Sequence, residues 1–207
     1  MSVSSKDASL LNDITVMMTD PSQAQNDEKI ETIMQKIRNL DPKKTGDQLR
    51  LASCHFMTMY HTRKAMTIGM SDDPRMQQPD QAGMMSQLMG GLPGGGGGHE
   101  SGQDKLNLEA VEKFKLAQRR DMELGWKLLN ISSSNSQAAR TARVLKIEVA
   151  QRLEDSYKLK EAFDDLMTKQ LSEEENMVAF TAAPFLGDWK TMMKLGKKIE
   201  KMPGGLE

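Results

Sequence analysis

From Gly90 to Gly98 the chain reads Gly-Gly-Leu-Pro followed by five consecutive glycines, and no helix or strand runs through such a stretch. Each glycine loses more backbone freedom on ordering than any other residue, and proline has no amide hydrogen to give a ladder. The flanking sequence behaves in the same way. Asp72-Asp73-Pro74 and Gln78-Pro79 break periodicity, and Met84-Met85-Ser86-Gln87-Leu88-Met89 is a short apolar island. Residues 71–103 therefore read as a flexible Met/Gly-rich linker, and the chain must be organised as helical material on either side of it.

Apolar spacing on both sides is that of helices. After a polar N-terminal segment, 1–26, with a marginal helix over about 6–18, Asn26 or Asp27 caps a helix carrying Ile30, Ile33, Met34, Ile37 and Leu40 on one stripe. Asp41-Pro42 and the Lys43–Gly46 turn lead to a second helix over about 47–69, with Leu49, Ala52, Phe56, Met59, Tyr60, Met66 and Met70 as its stripe. Together 27–70 form an N-terminal helical hairpin.

Beyond the linker, 104–171 reads as a long antiparallel hairpin. A helix over about 104–130 bears Leu108, Val111, Phe114, Met122, Gly125 and Leu128-Leu129, and a second runs unbroken over about 136–171. Some 35 helical residues would span roughly 50 Å, which favours an elongated bundle or coiled-coil-like hairpin. Arg152 and Ser156 fall where a strict heptad wants apolar groups. Ser172 and Glu175 are spaced as a capping box opening the first of the short C-terminal helices in 172–207. The last of these, about 188–202, is basic and amphipathic. No period-2 alternation persists, so the expected fold class is all-α: two helical hairpins joined by the linker, with short C-terminal helices.

Composition narrows the function. Lys plus Arg is 28 and Asp plus Glu 29, a net charge of −1, which does not favour a dedicated nucleic-acid binder. One cysteine excludes an internal disulfide and a Cys-rich metal centre. No apolar run approaches the roughly 20 residues of a membrane span, and no cleavable secretory signal is expected at the start. The expected location is the cytoplasm or the interior of an assembled particle or apparatus.

Reactive groups are sparse. Cys54 and His61 lie two helical turns apart, roughly 10 Å, too far for the hydrogen bond that activates a thiol. They read as a half-buried cysteine beside surface histidines. Glu173-Glu174-Glu175 and Asp164-Asp165 lack the alternating ligands and glycine of a calcium loop and read as helix-start charges and a solvated face. Arg119-Arg120 and Arg140-Arg143-Lys146 read as solvated faces with intrahelical partners such as Glu123 and Glu148. The glycine run lacks the lysine, hydroxyl and preceding strand of a phosphate loop. No cofactor, no metal site and no enzyme activity is expected.

Two features point to binding instead. Methionine occurs 18 times, and eight of these fall between Met57 and Met89; Met is a flexible, polarizable side chain suited to adaptable apolar contacts. Met57, Met59, Met66 and Met70 read as helical core, whereas Met84, Met85, Leu88 and Met89 form a candidate contact strip. In the terminal helix Trp189, Met192, Met193, Ile199 and Met202 lean to one side, while Lys190, Lys194, Lys197, Lys198 and Lys201 give it a positive surplus. Trp189, Met193, Lys194, Lys197 and Lys198 are the candidate partner contacts there, against the ordinary reading of a terminal helix docked on its own bundle. The expectation is a non-enzymatic helical structural subunit of a larger complex, such as a virus particle or a secretion or injection apparatus, working as a homo-oligomer or in a multi-subunit assembly. The alternative is an adaptor or chaperone-like module that holds apolar partner segments. Peripheral membrane contact through the basic helix is a further outcome of the same pattern.

Overall fold

The structure, a computed structural model, describes residues 5–20, 22–23, 26–68, 102–133 and 136–201, with side chains in the fourth stretch from Leu108 onward. Among the described residues the protein is all-α, with eight α-helices, one 3₁₀ turn and no strand. The chain divides into two compact units, Met1–Tyr60 with Gln118–Glu207, and His61–Ala117. The linker region, the glycine run, Met70, Met84, Met85, Leu88, Met89, His99 and Met202 lie outside the described residues.

In the larger unit, α1 (Ser5–Thr19) is a full helix that buries Leu10, Ile14 and Met17, where the sequence had suggested a polar and at best marginal segment. Its i, i+4, i+7 apolar triad is short, but packing on a core supplies what propensity does not. Helix α2 (Asp27–Arg38) begins at Asn26, whose side chain accepts from the Lys29 amide, and buries Ile30, Ile33, Met34 and Ile37 as its spacing predicts.

Helix α3 (Asp47–Thr67) departs from its predicted stripe. Leu49 and Phe56 are buried as expected, but so are Ser53, Cys54, Met57, Thr58 and His61, while Met59 is 39% and Met66 64% exposed. The reason lies in its neighbours. Tyr60 Oη donates to Glu31 of α2, and Cys54 and Met57 pack against Gly125 of α4 (Gly102–Leu129). A helix contacted from two sides buries a broad arc rather than one stripe. A Cβ on Gly125 would lie 3.4 Å from Met57 Cε and 3.6 Å from Val149 Cγ2, so the glycine is what permits this approach.

The predicted unbroken helix over 136–171 is corrected. Helix α5 (Ser136–Arg152) stops, and α6 (Ser156–Met167) starts afresh. Glu154 adopts φ +53°, a left-handed conformation no helix interior contains. Asp155 then caps α6 by accepting from the Tyr157 and Lys158 amides. The interruption sits at Arg152–Ser156, where the heptad pattern failed. With two shorter helices the unit closes on itself: Leu145, Val149, Leu153, Leu159, Phe163 and Leu166 all join a core that also contains Ile14, Ile33 and Phe56.

Helix α7 (Glu173–Ala182) opens with the predicted capping box: Ser172 Oγ accepts from the Glu175 amide, and Glu175 accepts from the Ser172 amide. It buries Ala179 and Ala182 and leaves Met177 partly exposed. A 3₁₀ turn (Ala183–Leu186) and Gly187, at φ +68°, lead into α8 (Trp189–Ile199). In the smaller unit His61 is buried edge-to-face on Phe114, with ring centroids 5.6 Å apart, and Ala65 is buried. Leu108 and Leu116 of that unit are 65% and 70% exposed, so Leu108 does not serve the core stripe assigned to it from sequence.

Candidate interaction surface

Helix α8 is set by its cap and by two inward residues. Asp188 accepts from the Thr191 amide at 3.0 Å, and hydrogen bonding from the Thr191 side chain together with that amide holds its carboxyl below the usual range. Leu195 and Ile199 are buried and Met192 packs on the core, which fixes the rotation of the helix. At Gly196 an added Cβ would come within 3.3 Å of Phe180 Cε2, so the glycine admits the α7 aromatic ring against the inner side.

The remaining positions face outward. At 100° per residue, Lys190, Lys194, Lys197 and Lys201 fall on the side opposite Leu195 and Ile199, with Trp189 and Met193 one turn apart on its shoulder. Trp189 is 60% and Met193 61% exposed, and the five lysines, Lys198 included, are exposed. Lys194, Lys197, Lys198 and Lys201 make no ion pair among the described residues. The sequence grouped Trp189, Met192, Met193 and Ile199 on one side; the structure separates Met192 and Ile199, turned inward, from Trp189 and Met193, turned out. The inward Leu195 was missed. The lysine spacing was the available signal, because four lysines on one arc mark the solvent side and leave Leu195 opposite them.

A second place where ionisable groups converge is an open crevice of about 360 Å³ lined by Arg38, Arg120, Asp121, Glu123, Leu124 and Lys127. Most of its charges are engaged within the fold. Arg38 donates from Nε and Nη2 to the two oxygens of Asp121, at 3.0 and 2.8 Å, and from Nη1 to Glu31 at 2.8 Å. Hydrogen bonding to Asp121 pushes the Arg38 guanidinium pKa up. Burial would raise the Glu31 carboxyl, but hydrogen bonds from Tyr60 and Arg38 outweigh it and leave it low, while burial and the Glu31 contact push Tyr60 up to about 12. Glu123 takes Lys158 of α6 at 3.1 Å.

The remaining sequence candidates are also placed. Cys54 is fully buried rather than half-buried, its Sγ 3.6 Å from the Gly125 carbonyl, and burial pushes the thiol pKa up, opposite to what a nucleophile requires. His61 is buried, not a surface histidine, and His55 is exposed. Glu175 stands at the helix start as expected but is fully buried: burial opposes its ionisation, but the Ser172 amide and Arg143, at 3.0 Å, hold its carboxyl low. The expected intrahelical pairing holds for Glu148, which takes Arg152 of its own helix at 3.4 Å, and is corrected elsewhere: Arg143 reaches α7, Glu123 pairs across to α6, and Lys146 stands 5.8 Å over the Trp126 ring. Among the described residues no group of three His, Cys, Asp or Glu is placed to hold a metal ion, and no helix is long and apolar enough to cross a membrane. No family model, curated protein or solved structure matches the chain.

Proposed function

We propose that the protein is a non-enzymatic helical component of a multi-chain assembly and that it acts by protein contact through the outer face of α8. The observation that carries this reading is the exposure of Trp189 and Met193 beside a lysine arc on a helix already anchored by Leu195 and Ile199. Exposed tryptophan is costly to leave in water and is enriched where chains meet, because it offers a large rigid area at little entropic cost. The polar groups of the molecule support the same reading. The thiol is pushed towards its protonated form, and most of the crevice charges are engaged with one another.

A virus particle or a secretion apparatus is the kind of assembly such a component suits. The adaptor reading draws on the same helix, with Trp189 and Met193 receiving an apolar partner segment. A photo-crosslinking residue placed at Trp189 in the native source tests contact: adducts to protein at this position, absent from an exposed control position such as Lys169, support it. Crosslinks confined to lipid, or none above the control, defeat it.

A further inference from the structure

Helix α6 presents the electrostatic complement of α8. Tyr157, Glu161 and Asp165 stand at i, i+4 and i+8 on its outer side, and Tyr157 is 88% exposed, the most exposed large apolar side chain among the described residues. Asp164, beside them, is paired with Lys160, whereas Glu161 and Asp165 are exposed and make no ion pair among the described residues. On α8 the matching series is Trp189, Met193 and Lys197, again at i, i+4 and i+8, with Lys194 alongside. Both series span about 12 Å, with an aromatic at the first position and a charge of opposite sign at the last.

From this we infer that the outer face of α8 in one copy packs against the outer face of α6 in a second copy of the same chain, Trp189 beside Tyr157 and Lys194 and Lys197 against Glu161 and Asp165. The inference deepens the assembly reading above and rests on it. Three observations favour a second copy over another occupant. The net charge of the chain is −1, so the lysine surplus on α8 is offset elsewhere on the same molecule, and α6 carries two of those carboxylates unpaired. Helices α6 and α8 both pack against the 3₁₀ turn Ala183–Leu186, so the acidic and basic faces lie on neighbouring elements of one unit. Neighbouring faces of opposite sign allow a twofold contact in which each copy supplies both halves, and such a contact closes rather than propagates. An anionic lipid surface would engage α8 and leave Tyr157, Glu161 and Asp165 without a role.

The test is a charge-reversal exchange on the full chain, followed by light scattering. The unaltered protein should rise above its 23.1 kDa monomer mass with concentration and fall back as salt is raised. Lys194→Glu with Lys197→Glu, and separately Glu161→Lys with Asp165→Lys, should each weaken self-association at least tenfold. Mixing the two variants should restore the larger species, because the reversed faces complement one another. Circular dichroism on each variant checks that helix content is intact; should either pair misfold, the single changes Lys197→Glu and Asp165→Lys take its place. A protein monomeric at hundreds of micromolar, variants that keep the native mass, or a mixture that fails to recover it overturns the inference. Binding to phosphatidylserine vesicles by a monomeric protein, lost with Lys194→Glu and Lys197→Glu, overturns it in favour of lipid. If the chain is monomeric while the Trp189 crosslinks to other proteins persist, self-pairing falls and the assembly reading stands; if those crosslinks are absent as well, both fall.

Discussion

Arg38 of α2 and Lys197 of α8 carry the same formal charge and are used in opposite ways. The Arg38 side chain is 14% exposed and is held by the 1%-exposed Asp121 and by Glu31, so its charge is consumed in joining α2 to α4. Lys197 is exposed on a helix whose attachment to the core runs through Leu195 and Ile199 instead. A planar guanidinium can meet a carboxylate bidentately and is weakly hydrated, which suits burial, whereas an ammonium on a flexible stem keeps its water. The contrast separates charge that builds the fold from charge left for an outside partner, and it can be broken at either end.

The largest effect is expected at the buried end. Asp121→Ala leaves the Arg38 guanidinium with only the half-exposed Glu31, and loss of one partner of a buried pair typically costs about 3–5 kcal/mol. Urea denaturation should show a fall of that order with an unchanged slope, and a loss below about 1 kcal/mol would mean the pair is not structural. Next comes Glu175, which is fully buried between the Ser172 amide and Arg143. Replacing it with Gln should cost about 1–3 kcal/mol at neutral pH, as for other lost hydrogen bonds to a charged group. Its folded pKa lies below the ordinary value of 4.5, so the carboxylate stabilises the fold above that value. The stability is lost as pH falls from about 4.5 through the folded value, because the unfolded chain takes up the proton first. Midpoints measured at pH 6 and pH 3 should therefore converge between the Gln variant and the parent at the acid end.

Helix content and the α2 core were legible in the sequence because Ile30, Ile33, Met34 and Ile37 meet one packing surface, and a single stripe records a single neighbour. The capping box at Ser172 was legible because it is local. What was not legible depends on distant partners. His61 and Cys54 read as ordinary surface and half-buried groups, since nothing in α3 announces Phe114 over the one or Gly125 against the other. Glu175 reads as one of three helix-start acids, since only Arg143, 32 positions away, distinguishes it. On α8 the lysines were identified, but the inward Leu195 was not. The break at Asp155 lies between these cases: a capping residue after a faulty heptad was a local signal, outweighed by the apolar periodicity on either side. Asp155→Ala tests it and should cost about 1 kcal/mol, as for other lost caps, with α5 and α6 still separate helices. Amide exchange faster at Tyr157 and Lys158, and unchanged within α5, is the expected pattern.

The smallest effect on stability is expected at the lysine end. Lys194→Glu with Lys197→Glu removes no ion pair among the described residues and no packed atom of the Leu195–Ile199 anchor, so the monomer unfolding free energy should shift by no more than about 0.5 kcal/mol. Two acids in the second half of α8 meet the negative end of the helix dipole, which sets the sign as slightly destabilising. The measurement belongs at low protein concentration, where mass action from association does not add to the folded state. A loss of more than about 2 kcal/mol there would place these lysines with Arg38, as charges the fold itself uses, and the distinction between the two ends of the molecule would collapse.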